Sequence, residues 1–201
     1  MRTITLGLLV AAAVTVTGCN ETARLAKDVT GTWSSAPIEL GNDTQGQTTT
    51  VETFTFENEN GTPGGVIMIE SMISQQKGMA TDAVAGGSPF AMTVAAKASV
   101  SGTWEAIDDD EIRVILDMSS LMVTVDPEAV SLVANPLSGT TSSEIDSLRP
   151  AMADFVTADL TGLVKAHYLK YAMLDDVKVK ENGKILEVEV GKTDMIMRRQ
   201  L

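Results

Sequence analysis

The sequence predicts a mainly β fold: an antiparallel barrel or strongly bent sheet with one long helix in the second half of the chain. Three observations lead to this prediction. Apolar and polar side chains alternate along several stretches, as they do in half-buried strands. One segment, at about 143–173, instead has the spacing and cap of a helix. The connections between the predicted strands are too short for repeated parallel crossovers.

The first predicted hairpin lies in the first half of the chain. In residues 48–57, Phe54 and Phe56 share one face and threonines occupy the other, the period of a half-buried strand. An Asn-Gly turn at 58–61 joins this strand to a second one at 65–73. Residues 74–89 contain several glycines without periodicity, which predicts a long loop.

Three further strands are expected before the helix. Residues 90–101 alternate strictly and predict one long strand, and residues 112–118 and 121–125 predict two more. The tripeptide Asp126-Pro127-Glu128 combines a cap, a first-turn proline and an acid, so a short helical turn through Val133 is expected after them.

The long helix is expected to begin at a sequence similar to a capping box, Ser143-Glu144-Ile145-Asp146. Apolar residues then recur every three to five positions as far as Tyr171, with Phe155 and His167 on the same face. Pro150 either kinks this helix or begins its main segment. After the helix, the sequence Glu181-Asn182-Gly183-Lys184 predicts a tight hairpin, and residues 195–198 form the last strand.

The first nineteen residues predict export and lipid anchoring. A basic start precedes an apolar run at 6–14, which is shorter than the roughly 20 residues that span a bilayer and is typical of a signal peptide. The run ends in Val16-Thr17-Gly18-Cys19, which resembles the lipobox of bacterial lipoproteins, whose cysteine carries a diacylglyceryl group. The alternative is that Cys19 is an ordinary buried thiol and that the run is a first strand.

This resemblance implies a signal peptide at 1–18 and a tether at 19–28 that forms at most a short helix. The remaining residues, 29–201, are enough for one domain or two small ones, and we expect one folded domain. Asn20 follows the cysteine, which by resemblance to the sorting signal of Gram-negative lipoproteins implies the outer membrane. The net charge of −12 argues against nucleic acid and anionic lipid as partners. Because Cys19 is the only cysteine, a disulfide or a thiolate metal site within the chain is excluded once it is acylated.

A Gly-Thr-Trp motif occurs twice and contains both tryptophans of the chain, Trp33 and Trp104. The first copy opens the first strand of an all-β domain whose last strand contains Arg198, and in this it resembles the lipocalin superfamily. The resemblance implies a lipocalin-like barrel with a structural latch, in which Trp33 packs under the barrel floor against Arg198 and Gly31 lies beside them.

The second copy, followed by the acidic segment 105–112, resembles an interior hairpin of lipocalin-like lipoproteins from Bacteroidota, whose function is mostly unassigned. The element order departs from the lipocalin pattern. A lipocalin has one strand after its helix, whereas about three strands follow the helix here.

No residue pattern predicts catalysis, a metal site or a cofactor. His167 is the only histidine, and no Gly-x-Ser-x-Gly elbow supplies a nucleophile for it. The run 108–111 lacks the alternate spacing of a calcium loop and is typical of a solvated turn. Gly86-Gly87-Ser88 lacks the lysine of a phosphate loop. We therefore expect a protein that is not an enzyme.

Methionine is frequent, and its flexible thioether suits an adaptable apolar pocket or, alternatively, an irregular packed core. The candidate ligand-lining residues are Met68, Met92, Val94, Val114, Leu116 and Met118. Two functions follow. The first is a membrane-anchored envelope lipoprotein that binds a small apolar ligand inside its barrel. The second is a non-enzymatic interaction or scaffold lipoprotein with a filled barrel, which contacts an envelope protein through the loop 74–89 or the helix face.

Overall fold

The computed structural model describes residues 18–43, 46–58, 62–78, 90–134 and 141–200, and within them it is mainly β. The helices of these residues are α1 (Gly18–Val29) and α2 (Ser142–Tyr168), and α2 continues as a 3-10 turn over Leu169–Ala172. The nine strands are β1 (Gly31–Ser35), β2 (Ile38–Asp43), β3 (Gly46–Asn58), β4 (Gly64–Lys77), β5 (Phe90–Ala106), β6 (Ile112–Ala134), β7 (Met173–Lys180), β8 (Ile185–Val190) and β9 (Thr193–Arg199).

The strands form one antiparallel sheet that closes nearly into a barrel. Their order is β1-β9-β8-β7-β6-β5-β4-β3-β2, and β1 also pairs with β3. Because β1 pairs with both β3 and β9, it joins the two sides of the sheet, while β2 continues along β3 beyond it. The predicted mainly β fold with an antiparallel, barrel-like sheet and a long helix is confirmed at this level. We call the end that contains Gly31, Arg199 and the turns 107–111 and 181–184 the basal end.

The alternation predicted for β3, β4 and β5 is confirmed. Phe54, Phe56, Ile67 and Ile69 are all buried, and their sequence neighbours face the other side of the sheet. β4 extends to Lys77, so the beginning of the predicted loop 74–89 is strand. Residues 79–89 of that loop lie outside the described residues, as do residues 1–17 of the predicted signal peptide.

The helical turn predicted after Asp126 is wrong, because the whole of 112–134 forms the single strand β6. Val94 pairs with Val130 and Ala96 pairs with Val125, so residues 126–129 bulge opposite one residue of β5. Asp126 still accepts a hydrogen bond from the Glu128 backbone N–H at 2.9 Å, which is the local turn that the sequence indicated. Proline is tolerated at such a bulge because bulge residues do not pair with the neighbouring strand, so the N–H group that proline lacks is not needed there.

The cap of α2 lies two residues earlier than predicted. Thr141 is its cap, and Glu144 completes the capping box by accepting the Thr141 backbone N–H at 2.8 Å, so the box is not Ser143 with Asp146. Pro150 lies inside the helix. Phe155, expected on the buried face, is 60% exposed. The residues that α2 and its 3-10 turn bury against the inner face of the sheet are Ala153, Val156, Leu160, Val164, Tyr168 and Tyr171.

The predicted tether is mostly helix, and its second half belongs to the folded domain. Leu25, Ala26 and Val29 of α1 are buried and join the main hydrophobic core. At the other end of the chain the predicted hairpin is confirmed. Asn182 has a φ of 56° and Gly183 a φ of 85°, which is the left-handed geometry that an Asn-Gly turn supplies.

Candidate functional site

The inner face of the β3–β4 hairpin changes from apolar to polar along its length. Near the basal end the facing pairs are Phe56 with Ile67 and Phe54 with Ile69. The next pair is Glu52 with Ser71, and both residues are buried. Burying a charged carboxyl group is unfavourable unless hydrogen bonds compensate it, so the partners of Glu52 decide what this region can do.

The partners of Glu52 form an internal polar cluster between the sheet and α2. Its members are Ser35, Glu52, Ser71, His167, Tyr168 and Tyr171. One carboxylate oxygen of Glu52 lies 3.1 Å from His167 Nε2 and accepts a hydrogen bond from Ser71 Oγ at 3.3 Å. The other accepts the Tyr171 hydroxyl proton. The Glu52 backbone N–H donates to Ser35 Oγ at 2.9 Å.

The two tyrosines connect this cluster to the end of α2. Tyr168 and Ser71 hydroxyls lie 2.7 Å apart, and the Tyr171 hydroxyl lies 2.8 Å from His167 Nε2. Burial raises the pKa of the Tyr171 phenol above its ordinary value, and the Glu52 carboxylate raises it further. Burial likewise raises the pKa of Tyr168. Both phenols therefore stay protonated and keep donating hydrogen bonds throughout the neutral pH range.

A carboxylate, an imidazole and a phenol in contact can exchange protons, which is the chemistry of acid–base catalysis. A substrate would need to reach them, however, and the side chains of Glu52 and His167 are only 1% and 10% exposed. No group of three or more His, Cys, Asp or Glu side chains in the described part of the chain is arranged to hold a metal ion. The hydrogen bonds of the cluster join the end of α2 to β3 and β4.

Two more buried polar atoms lie further from the basal end on the same inner face. Gln75 Nε2 donates to Thr48 Oγ1 at 3.2 Å. Gln75 Oε1 and Thr50 Oγ1 have no hydrogen-bond partner among the described residues. An unpaired buried polar atom costs about 1–3 kcal/mol, so the upper part of the barrel interior is less favourably packed than the basal part.

The candidate ligand-lining residues do not all face the interior. Met92, Val94 and Val114 are buried in the core, and Leu116 and Met118 are partly buried against it. Met68 was assigned wrongly, because it is 46% exposed on the outer face. The period of two explains the correction: Ile67 and Ile69 face inward, so Met68 between them faces outward.

The three clefts described on the surface lie on the outside of the sheet. One of about 400 Å³ is bordered by Pro63, Trp104 and Arg113 at the basal end. Two others, of about 360 and 440 Å³, adjoin each other at Met72 and Lys97. Apolar side chains are exposed around them, since Met72 and Met122 are 58% and 59% exposed.

The predicted structural latch forms with Arg199 in place of Arg198. The Arg199 guanidinium carbon lies 4.2 Å from the centre of the Trp33 ring, and Trp33 itself is fully buried. Arg198 is exposed, because Met197 faces the core and strand residues alternate. The assignment was therefore wrong by one residue. Met197 faces the core, and residues two apart in a strand face the same side, so the sequence could have identified Arg199.

Gly31 belongs to the latch for a steric reason. Its φ is +129°, and a Cβ at this position would lie 2.5 Å from Nη1 of Arg199. The second motif also packs at the basal end: Trp104 is buried edge-to-face on Phe56 at 5.4 Å, and its indole N–H donates to the Glu57 carbonyl.

Cys19 lies in the first turn of α1, and its side chain is outside the described residues. No helix in the described ranges is long and apolar enough to cross a membrane. Comparison with known protein families, curated proteins and solved structures finds no match for this chain.

Proposed function

We propose that this protein is a lipid-anchored, non-enzymatic interaction protein of the cell envelope, whose lipocalin-like barrel is filled and which binds a protein partner through its outer surface. The observation that supports this most directly is the position of α2. Leu160, Val164 and Tyr168 are all at most 1% exposed because they pack in the main hydrophobic core, with α2 lying along β6. A ligand held between the strands would need the space that these side chains occupy.

The outer surface supports the same proposal. The exposed apolar side chains include Val66, Met68 and Met72 on β4 and Ile115 and Met122 on β6, and β5 lies between these two strands. Met72 and Met122 border the same cleft. Exposed apolar side chains grouped at a cleft are typical of interaction sites, and methionine adapts to partners of different shape. The clefts on this face are open and shallow, which suits a protein surface better than a small enclosed ligand.

The anchor and the barrel type rest on separate observations. The lipobox-like sequence ending at Cys19 supports anchoring, with Asn20 favouring the outer membrane. The arrangement of Gly31, Trp33 and Arg199 supports a lipocalin-like barrel floor. Replacing Cys19 with alanine is expected to move the protein from the membrane fraction to the soluble fraction; retention in the membrane would refute the anchor.

An apolar dye tests whether the barrel is filled. The protein is titrated with 1-anilinonaphthalene-8-sulfonate, and we expect no saturable binding to the unmodified chain. Leu160→Ala, titrated with benzene, is the positive control for a small apolar cavity, because removing a buried leucine leaves a cavity of about that size and costs about 2–5 kcal/mol. Saturable binding to the unmodified chain that is abolished by Val94→Phe would instead identify an interior ligand site.

A photo-crosslinking residue at position 72 tests the outer surface in intact cells. We expect a discrete adduct that disappears when Met122→Asp is added, because a carboxylate on the apolar face costs desolvation energy at an interface. A crosslinker at position 155 on α2 is the matched control for an exposed apolar site. Adducts from position 155 and none from position 72 would move the partner site to the helix.

A further inference from the structure

The helix α1 is part of the barrel and leaves little chain between the domain and the lipid attachment point. Its residues Leu25, Ala26 and Val29 are 6%, 0% and 0% exposed. Cys19 lies six positions before Leu25 in the same helix. At 1.5 Å per residue, six residues span about 9 Å.

The end of α1 is fixed to the strands by hydrogen bonds to its carbonyl groups. Arg199 donates to the carbonyls of Asp28 and Thr30, each at 2.9 Å, and also to that of Gly183. The Trp33 indole N–H donates to the Val29 carbonyl at 2.7 Å. A cation at the carbonyl end of a helix also interacts favourably with the helix dipole. The axis of α1 therefore keeps a constant direction relative to the barrel.

We infer that α1 is a rigid spacer that holds the basal end of the barrel against the bilayer surface to which Cys19 is attached. This inference rests on the proposed lipid anchor. A flexible segment of the same six residues could extend to about 20 Å, whereas the helix limits the distance from lipid to core to about 9 Å. The interaction surface is the exposed side of α1 together with the basal turns, and its partner is the polar surface of the membrane.

The charges at the basal end determine which lipid headgroups it can lie against. The turn 107–111 contains four consecutive acidic residues, Asp108 to Glu111, whereas the exposed charges of α1 cancel, with Glu21 and Asp28 against Arg24 and Lys27. Like charges repel across a short distance. The basal end is therefore suited to a zwitterionic headgroup layer, and we expect added anionic phospholipid to move it away from the surface.

Energy transfer from tryptophan measures the distance directly, because both tryptophans lie at the basal end. The full-length chain is purified from the membranes of a bacterial host and reconstituted into phosphatidylcholine vesicles with a trace of dansyl-labelled phosphatidylethanolamine. We expect efficient transfer. Inserting about ten Gly and Ser residues between Asn20 and Glu21 adds a mean reach of about 18 Å and should lower the transfer efficiency at least twofold. Equal transfer in both proteins would overturn the inference.

A matched pair of arginine variants tests whether Arg199 holds the end of α1 in place. Arg199→Ala frees the end of α1 and should lower the transfer, whereas Arg198→Ala should not change it. Circular dichroism of both variants shows whether they remain folded, and the insertion variant decides the question if Arg199→Ala does not fold.

Mass spectrometry separates this inference from the proposed function. An unmodified Cys19 would contradict the lipid anchor alone. The same measurement is then made after the cysteine has been coupled to a phospholipid bearing a maleimide. High transfer in that protein and a loss on insertion would still support the rigid spacer, and equal transfer would still overturn it.

Discussion

The two halves of the inner β3–β4 surface are stabilised by different interactions although they lie on the same two strands. In the basal half, Phe54 packs edge-to-face on Tyr171 at 5.1 Å, and Phe56 does the same on Trp104. In the upper half, which lies further from the basal end, Glu52 and Ser71 are equally buried, but they are hydrogen-bonded to residues at the end of α2. Strand pairing is common to both halves, so the difference lies in the side chains.

This difference separates stability from specificity. Apolar burial is non-directional and contributes about 25 cal/mol per Å² wherever the surfaces meet. Hydrogen bonds around a buried carboxylate form at one position of the partner only, and a misplaced partner leaves costly unpaired atoms. We therefore infer that the basal half supplies most of the free energy of folding and that the upper half determines where α2 lies on the sheet.

The largest expected effect is in the basal half. Phe54→Ala removes a fully buried ring and should lower the free energy of unfolding by about 4 kcal/mol. Thr53→Ala, on the outer face of the same strand, is the matched control and should cost less than about 1 kcal/mol. Urea denaturation measures both. A Phe54→Ala loss no larger than that of the control would contradict the assignment of stability to this half.

Alkaline pH should destabilise the upper half. Burial raises the pKa of both tyrosines in the folded protein, so the unfolded state releases their protons first. Stability is then complete below about pH 10, the ordinary tyrosine value, and falls by about 1.4 kcal/mol per tyrosine for each pH unit above it. Urea unfolding at a series of pH values checks this. Tyr171→Phe should halve the tyrosine-dependent slope; an unchanged slope would show that Tyr171 ionises in the folded state.

Removing the latch between Arg199 and Trp33 should have an intermediate effect on stability. Arg199→Ala removes hydrogen bonds to three carbonyl groups and the contact with Trp33, and should cost about 2 kcal/mol. Arg198→Ala should stay within about 0.5 kcal/mol, because surface substitutions usually do. Thermal unfolding of the two variants provides the measurement, and equal losses would return the latch to Arg198.

The smallest effect is expected for a single hydroxyl of the polar cluster. Tyr171→Phe at neutral pH keeps the ring on Phe54 and deletes one donor to Glu52, so it should cost about 1–2 kcal/mol. It should also increase amide hydrogen exchange at the end of α2 more than in the basal strands. Uniform changes in exchange would contradict the separate roles of the two halves.

Much of the sheet was predictable because strand alternation depends on local sequence. The strands β3, β4 and β5 and the Asn182-Gly183 turn follow from period and turn chemistry alone. The bulge around Pro127 did not follow, because the cap signal is local whereas pairing with β5 is a tertiary interaction that overrides it. The inward face of α2 was misassigned at Phe155 for the same reason. α2 packs mainly along β6, and Ala153 and Val156 are the residues of this part of the helix that enter the core.

The polar cluster could have been found in part. Glu52 has the same parity as Phe54 and Phe56, so a strand that buries the two rings also buries the carboxylate. Ser71 is likewise flanked by the inward residues Ile69 and Ile73. What the sequence could not supply is the pairing of these groups with Tyr168 and Tyr171, since their hydrogen bonds join positions 97 and 119 residues apart.

The closure of the sheet through β1 has a kinetic consequence. The hydrogen bond from Arg199 to Asp28 joins residues 171 positions apart, and β1 has no second neighbour until β9 arrives. Contacts of such long sequence separation form slowly, because the conformational entropy of the long intervening loop is lost before the contact can stabilise the chain. Ring closure therefore waits until the last strand of the chain is available, whatever the order in which the other strands pair.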